Sequence, residues 1–243
     1  MLGWRLASII ANADGTIALT FNTPSGPARA IFDQVILALP FSVLRGLDYS
    51  QAGFDSLKIT AITQLGYGTN SKLHLQFDNR YWNGQGPWGT GDGFIFTDLP
   101  FQSTWDGSRA AGVDGLLVDY SGGSQGASYH PPTPYSTSKS SPLVEQFARR
   151  CLSQLERPWP GIAPHYTGLA TLSYPPGDPN KLGSYSAWRV GQYTLFSGYE
   201  RVAQGNIHFA GEHCSINFQG YMEGGAREGI RAANEVLKTG GES

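Results

Sequence analysis

The chain has 243 residues, of which 40% are hydrophobic and 15% charged, with a formal net charge of −2. That is an ordinary globular balance for one large or two small domains, and it points to neither nucleic acid nor an anionic membrane surface as partner. No uninterrupted apolar run reaches transmembrane length, the opening MLGWRLASIIANADG lacks the apolar region and cleavage site of a leader, and Cys151 and Cys214 make no disulfide framework. A reducing, cytoplasmic setting is the resulting expectation.

Gly 32 and Pro 15 are high counts and predict many turns and a sheet-rich fold. Residues 4–11, 16–22 and 28–31 read as short antiparallel strands, joined by turns at Ala13-Asp14-Gly15 and Pro24-Ser25-Gly26. The continuous apolar run Asp33–Leu39, closed by Pro40, fits a strand buried on both faces. Residues near 55–67 are weakly helical. Ser71–Phe77 alternates cleanly, with Leu73, Leu75 and Phe77 on one face and Lys72, His74 and Gln76 on the other. Gly93–Thr97, Leu116–Tyr120 and Gly168–Ser173 are further strand candidates, and 121–141 reads as a long Ser/Gly/Pro/Tyr loop. Pro142–Leu155 is helical: Leu143, Phe147, Cys151 and Leu155 recur every four residues, with serines before Pro142 as N-cap candidates. Residues 175–206 are loop-rich, 207–210 read as a buried strand, and 221–238 as the terminal helix.

The segment Ile207–Ala233, IHFAGEHCSINFQGYMEGGAREGIRAA, is the most informative. A buried strand ends at Gly211-Glu212, a loop follows, and Gly220-Tyr221 opens a long helix. A helix N-terminus offers unpaired N–H groups and partial positive charge to an anionic or electron-rich ligand. A carboxylate at a strand end can accept hydrogen bonds from ribose or ribityl hydroxyls.

The Phe-Ala-Gly-Glu and Gly-Tyr-Met-Glu-Gly pair closely resembles the C-terminal flavin-binding motif of the FAD-dependent amine oxidases, the superfamily of monoamine, polyamine and L-amino-acid oxidases. The resemblance covers nearly the whole chain. It implies an α+β / α/β architecture: a partial FAD-binding, Rossmann-like domain (1–54 and 174–243) with an inserted mixed-sheet substrate domain (55–173). The Gly-x-Gly-x-x-Gly loop that seats the FAD pyrophosphate is missing, and Gly89-Thr90-Gly91-Asp92-Gly93 has the wrong spacing and no helix behind it. The expectation is therefore the C-terminal half of an oxidase, a split or truncated enzyme that starts inside the FAD domain.

The resemblance implies roles residue by residue. Lys72, in Gly-Tyr-Gly-Thr-Asn-Ser-Lys-Leu-His-Leu-Gln-Phe, matches a lysine that holds a water against flavin N5; its bland reading is a solvent-facing lysine on a half-buried strand. Tyr185 and Tyr221 match the two rings that flank the substrate amine; the bland reading is two core or surface tyrosines. Trp188 is a further pocket candidate that could simply pack under its loop. Gly211, Glu212, Gly220 and Met222 are the implied flavin contacts, with tight turns and close packing as the alternative for the glycines, and Leu6 is a weak match near the adenine. Ser184 stands where monoamine oxidases carry the cysteine that bonds the flavin, which implies non-covalent FAD.

The implied reaction is oxidation of a C–H bond beside an amine to an imine, with O₂ reduced to H₂O₂. The implied partners are a small amine and either a separate N-terminal FAD-domain subunit or a second copy, since apolar faces would otherwise be exposed. A non-catalytic remnant or interaction subunit that cannot bind FAD alone is the other functional class. Two lures remain. Gly122-Gly123-Ser124-Gln125-Gly126 fits Gly-x-Ser-x-Gly, and Asp178 and His208 follow in hydrolase order; three prolines in Ala127–Tyr135 oppose the helix an elbow needs. His208, His213 and Cys214 suggest zinc at a spacing that fits no common site.

Overall fold

The computed structural model describes residues 2–108, 112 and 114–240. They form two compact units. One combines the stretch up to Tyr67 with the stretch from Tyr185 onward, and the other is the continuous Gly68–Ser184. Sequence places the boundaries near 54 and 174; the chain instead changes unit at Tyr67/Gly68 and Ser184/Tyr185. The reason is that Ala61, Ile62 and Leu65 are fully buried in the core of the first unit.

The first unit opens with β1 (Arg5–Ala11), β2 (Ile17–Thr23) and β3 (Gly26–Phe32), an antiparallel meander in the register Ile9↔Leu19 and Leu19↔Ala30. Gly15 and Gly26 take φ of +87° and +106° at its turns, a region open to glycine. Of the run expected to be buried on both faces, only β4 (Val35–Leu37) is strand. Val35 and Leu37 are buried, but Ile36 between them is 40% exposed, because β4 points only alternate side chains into the core. After the single-turn α1 (Phe41–Leu44), β5 (Asp48–Gln51) returns parallel to β1 and makes this sheet mixed, in the order β3-β2-β1-β5.

Helix α2 (Ser56–Gln64) is N-capped by the Asp55 side chain, which accepts the Lys58 N–H at 2.8 Å. At its other end the Arg45 guanidinium donates to the carbonyls of Ile62, at 2.6 Å, and Leu65. Both ends thus find partners for backbone groups that a helix leaves unpaired.

The second unit holds β6 (Ser71–Phe77), the small hairpin β7 (Gln85–Gly86) and β8 (Gly89–Thr90), β9 (Ile95–Phe96), β10 (Ser103–Asp106), β11 (Gly115–Ser121), the short helix α3 (Gly123–Ala127), β12 (Tyr135–Thr137), α4 (Pro142–Leu155) and β13 (Tyr166–Ser173). Its six-stranded sheet has the order β12-β13-β6-β11-β10-β9. The sheet expected here was mixed; every described pairing in it is antiparallel. Leu73, Leu75, Phe77, Leu117 and Leu172 meet Val144, Ala148, Cys151 and Leu155 of α4 in one core. Each such fully buried aliphatic stabilises the unit by roughly 1.5–3 kcal/mol before entropic costs.

The buried stripe of α4 runs through Val144, Ala148, Cys151, Leu152 and Leu155, so Leu143 and Phe147 flank it rather than define it. Ser141 occupies the N-cap position without a side-chain capping bond. The segment expected to be a long loop contains α3 and β12. The chain then re-enters the first unit with α5 (Gln192–Phe196), β14 (Ile207–Phe209) and α6 (Met222–Gly240). β14 pairs with β4 in parallel, Ile207↔Val35 through Phe209↔Leu37. No helix among the described residues is long and apolar enough to cross a membrane.

Candidate active site

In the first unit, β14 delivers the chain to Gly211. Its φ is +131°, and a Cβ there would lie 2.7 Å from the His213 ring, so glycine is required twice over. A 3₁₀ turn, Glu212–Cys214, follows. The Glu212 carboxylate is engaged on both oxygens: Oε1 accepts the Ser186 N–H at 2.8 Å, and Oε2 accepts the Ser186 hydroxyl at 2.8 Å and the Gly220 N–H at 2.6 Å. Gly220 has φ +82°, and its missing Cβ would stand 3.5 Å from the Tyr185 ring. Tyr185 and the opening of α6 are therefore neighbours. Tyr221 and Met222, at that opening, are 70% and 95% exposed. Gly224 lets the chain fold back tightly, since a Cβ there would sit 2.2 Å from the Phe218 carbonyl oxygen.

The Trp188 ring packs at 5.7 Å from Tyr193 and 5.5 Å from Phe196. Leu6 is half-buried against the same core.

Beneath the Gly211 turn lies a polar cluster that sequence reasoning missed. Lys58 is fully buried; its ammonium donates to the carbonyls of Tyr199 and Glu200, each at 2.8 Å, and sits 3.9 Å above the Phe209 ring. Burial pushes its pKa down to about 8, opposed by Cys214, Glu200 and Asp55. Burial pushes the Glu200 carboxyl up to about 7, with backbone hydrogen bonds and Lys58 opposing. Its Oε1 has no hydrogen-bond partner among the described residues. His213 packs 4.5 Å from the Phe41 ring and is held neutral, its pKa pushed down to about 3 by burial and then by Lys58. Burial also raises the Cys214 thiol, whose Sγ lies 3.6 Å from the Glu200 carbonyl. A signal for Lys58 was present: 58, 61, 62 and 65 share the spacing of one helix face.

In the second unit, Lys72 is exposed on the face of β6 opposite the core, as the alternation predicts. Its ammonium lies 5.7 Å from the Tyr120 ring and 5.9 Å from the Trp105 ring. Cross-strand pairing sets Phe96, Ser103, Tyr120, Lys72, Ser173 and Tyr135 in one row across all six strands. Ser184 Oγ donates to Asn70 Oδ1 at 3.0 Å.

The hydrolase lure fails on its partners. Helix α3 does follow Gly122, so the prolines merely stop it after one turn rather than forbid it. Both ring nitrogens of buried His208 are already engaged, Nδ1 by Glu235 at 3.0 Å and Nε2 by Gln34 at 2.9 Å, while Asp178 accepts from the Tyr135 hydroxyl at 2.9 Å. Those contacts also remove His208 from any zinc site, and among the described residues no three His, Cys, Asp or Glu side chains converge on a metal position. Gly89 and Gly93, with φ of +94° and +83°, belong to the β7–β8 hairpin and its exit rather than to a dinucleotide loop.

What the turn can offer a cofactor edge is the N-terminus of the 19-residue α6 and the remaining acceptor capacity of Glu212, whose three donors take three of its about four positions. The Cβ positions of Gly211 and Gly220 face the His213 and Tyr185 rings, so these glycines serve the close packing of the turn itself.

The sequence profile of the family described as flavin containing amine oxidoreductase matches residues 1–237. The putative L-amino-acid oxidase YobN of Bacillus subtilis (strain 168) is 29% identical over 210 residues, which cover 84% of this chain and 41% of that protein. Polyamine oxidase 5 of Oryza sativa subsp. japonica is 28% identical over 246 residues, covering 98% of this chain and 44% of its own length. Among solved structures, cyclohexylamine oxidase from Brevibacterium oxydans IH-35A superposes with a TM-score of 0.79 at 18% identity, covering 98% of this chain and 49% of that one. Wild-type putrescine oxidase bound to putrescine gives 0.79 at 16%, over 97% and 48%. The chain spans less than half the length of the relatives it matches.

Proposed function

Because this chain belongs to the family of flavin containing amine oxidoreductases, we propose that it forms the C-terminal half of an FAD-dependent amine oxidase. In this reading the unit built on β4 and β14 is the cofactor unit, and Gly68–Ser184 is the substrate unit. The net reaction converts an amine bearing an α C–H, with O₂ and water, to a carbonyl compound, ammonia or a smaller amine, and H₂O₂. Flavin, when bound, would supply the two-electron acceptor, with O₂ as the final oxidant. Gly211, Glu212, Gly220 and the backbone at Met222 would hold the cofactor, and the helix N-terminus of α6 would stabilise negative charge gained beside it by up to about 2 kcal/mol. Ser184 in place of a cysteine supports non-covalent attachment.

Tyr185 and Tyr221 orient the deprotonated amine between their rings, which present negative faces to the nitrogen as it develops positive charge. Lys72 places a cation, held beside Trp105 and Tyr120, where a water or developing anion can be stabilised. Trp188, whose ring meets Tyr193 edge to face, is the further candidate for a wall of the substrate pocket. The observation that carries the reading is the arrangement of the first unit: one carboxylate, Glu212, joins the segment bearing Tyr185 to the helix opening bearing Tyr221. The exposed apolar positions Met222, Ile230 and Leu237 along α6, 95%, 65% and 72% exposed, support a further body, a dinucleotide-binding half on the same or a separate polypeptide, packing there.

The test is a flavin titration of the chain, alone and with a dinucleotide-binding half, followed by anaerobic addition of amines. Flavin that binds and is bleached by a primary amine, a polyamine or an L-amino acid establishes the reaction and sorts the substrate. Flavin that binds and stays oxidised with all three overturns it, and no binding under either condition leaves the non-catalytic class.

A further inference from the structure

We infer that Glu212 and Ser186 are a positioning clamp for the aromatic pair, a role separate from contact with the flavin. The inference rests on the amine-oxidase reading of Tyr185 and Tyr221. Ser186 directly follows Tyr185, and Gly220 directly precedes Tyr221. One carboxylate therefore fixes the backbone within one residue of each ring, through bonds of 2.8, 2.8 and 2.6 Å. Hydrogen bonds to an ionised acceptor are roughly twice as strong as neutral ones.

The segment that carries Tyr185 is anchored on its other side as well. Ser186, 4% exposed, bridges Tyr67, and the Ala187 N–H donates to the Gly66 carbonyl at 2.9 Å. The Glu212 tie adds the connection from that anchored segment to the turn that starts α6. At the turn, Gly220 adopts φ +82° and leaves only 3.5 Å between its Cβ position and the Tyr185 ring. Loosening the tie therefore changes the spacing between the rings directly. A displacement on the order of 1 Å in a group that orients substrate costs up to about a hundredfold in rate. The Ser186 hydroxyl makes the two roles of Glu212 separable: removing it deletes one clamp bond and leaves the carboxylate free to meet a ligand.

Hydrogen exchange on the chain itself reads the clamp without flavin. Glu212→Gln turns one acceptor into a donor, and the Ser186 and Gly220 amides should exchange faster together, by about tenfold or more, while the amides of β6 keep wild-type rates. In the flavin-loaded assembly with the dinucleotide-binding half, Ser186→Ala should keep wild-type flavin content and lower kcat about tenfold, more than it raises KM; Ser186→Thr, which keeps the hydroxyl, should restore the rate. Unchanged exchange in Glu212→Gln, unchanged kcat in Ser186→Ala, or loss of flavin in step with loss of rate would each overturn the clamp. A wild-type assembly that no amine reduces is a different failure: it removes the oxidase reading and the clamp's catalytic purpose, while exchange still reports whether the tie exists.

Discussion

Glu200→Gln isolates the buried charge under the Gly211 turn. Glu200 is 1% exposed, and its carboxyl is raised from 4.5 to about 7 by burial. Between those two values the folded chain binds more protons than the unfolded one. The protonated side chain therefore supports the native state fully below about pH 4.5, and that support is lost as pH rises through 7. About 2.5 pK units at 1.36 kcal/mol each set a ceiling of about 3 kcal/mol on the penalty carried above pH 7. Lys58, close enough to oppose the shift, is already counted in that value. Glutamine keeps the shape and removes the ionisation, although its amide must find a partner at a cost of about 1–3 kcal/mol. That cost is present at both pH values and cancels in the comparison. Urea unfolding of wild type and variant should therefore show the variant gaining about 2–3 kcal/mol relative to wild type on going from pH 5 to pH 8. A stability difference that is the same at both pH values would mean that Glu200 is not buried as an ionisable group, and the reasoning would fail.

Three further outcomes follow from geometry. A Cβ on Gly66 would lie 2.3 Å from the Ala187 carbonyl oxygen, which is backbone and cannot swing away; Gly66→Ala should lose about 3 kcal/mol in urea unfolding, and an unchanged midpoint would show the approach to be looser. Tyr129 donates to buried Asp119 at 2.8 Å, and burial holds that carboxyl above its ordinary value. Tyr129→Phe should cost about 1–3 kcal/mol at neutral pH and less in acid, where the carboxyl is protonated; a cost independent of pH would refute the link. Lys72→Met, at an exposed position, should change stability by no more than about 0.5 kcal/mol. In the flavin-loaded assembly it should slow stopped-flow turnover by at least about tenfold with flavin content intact, and wild-type rates would remove Lys72 from the chemistry.

What sequence made legible is local. Ser71–Phe77 alternates, so β6 and the outward face of Lys72 could be read directly. The glycine turns of the first meander and the strand–loop–helix run from Ile207 were legible for the same reason. What depends on distant partners was not. Ser103–Asp106 and Tyr135–Thr137 are short, polar and without alternation, and they are strands because β11 and β13 offer edges to them. Asp33–Leu39 reads as a doubly buried strand because apolar composition cannot say how many faces are covered. Glu212 reads as a cofactor contact from its neighbours in sequence, while its partner Ser186 lies 26 residues away and nothing local marks it. Lys58 has no motif around it, and only its place on one helix face with Ala61, Ile62 and Leu65 marks it for burial.

The pairing of β4 with β14 has a consequence for biosynthesis. Every residue of Gly68–Ser184 lies between those two strands, so this unit leaves the ribosome complete while the first unit has only its opening half. Domains generally fold as units during synthesis, and contacts between distant segments wait until both are made. The inserted unit can therefore settle first, while Val35–Leu37 stays without its strand partner until Ile207–Phe209 has been translated. Over that interval Val35 and Leu37, buried in the finished protein, are open to chaperones and to other nascent chains. The order of elements along the gene thus makes joining the cofactor unit, rather than building the substrate unit, the late and vulnerable event in the life of this polypeptide.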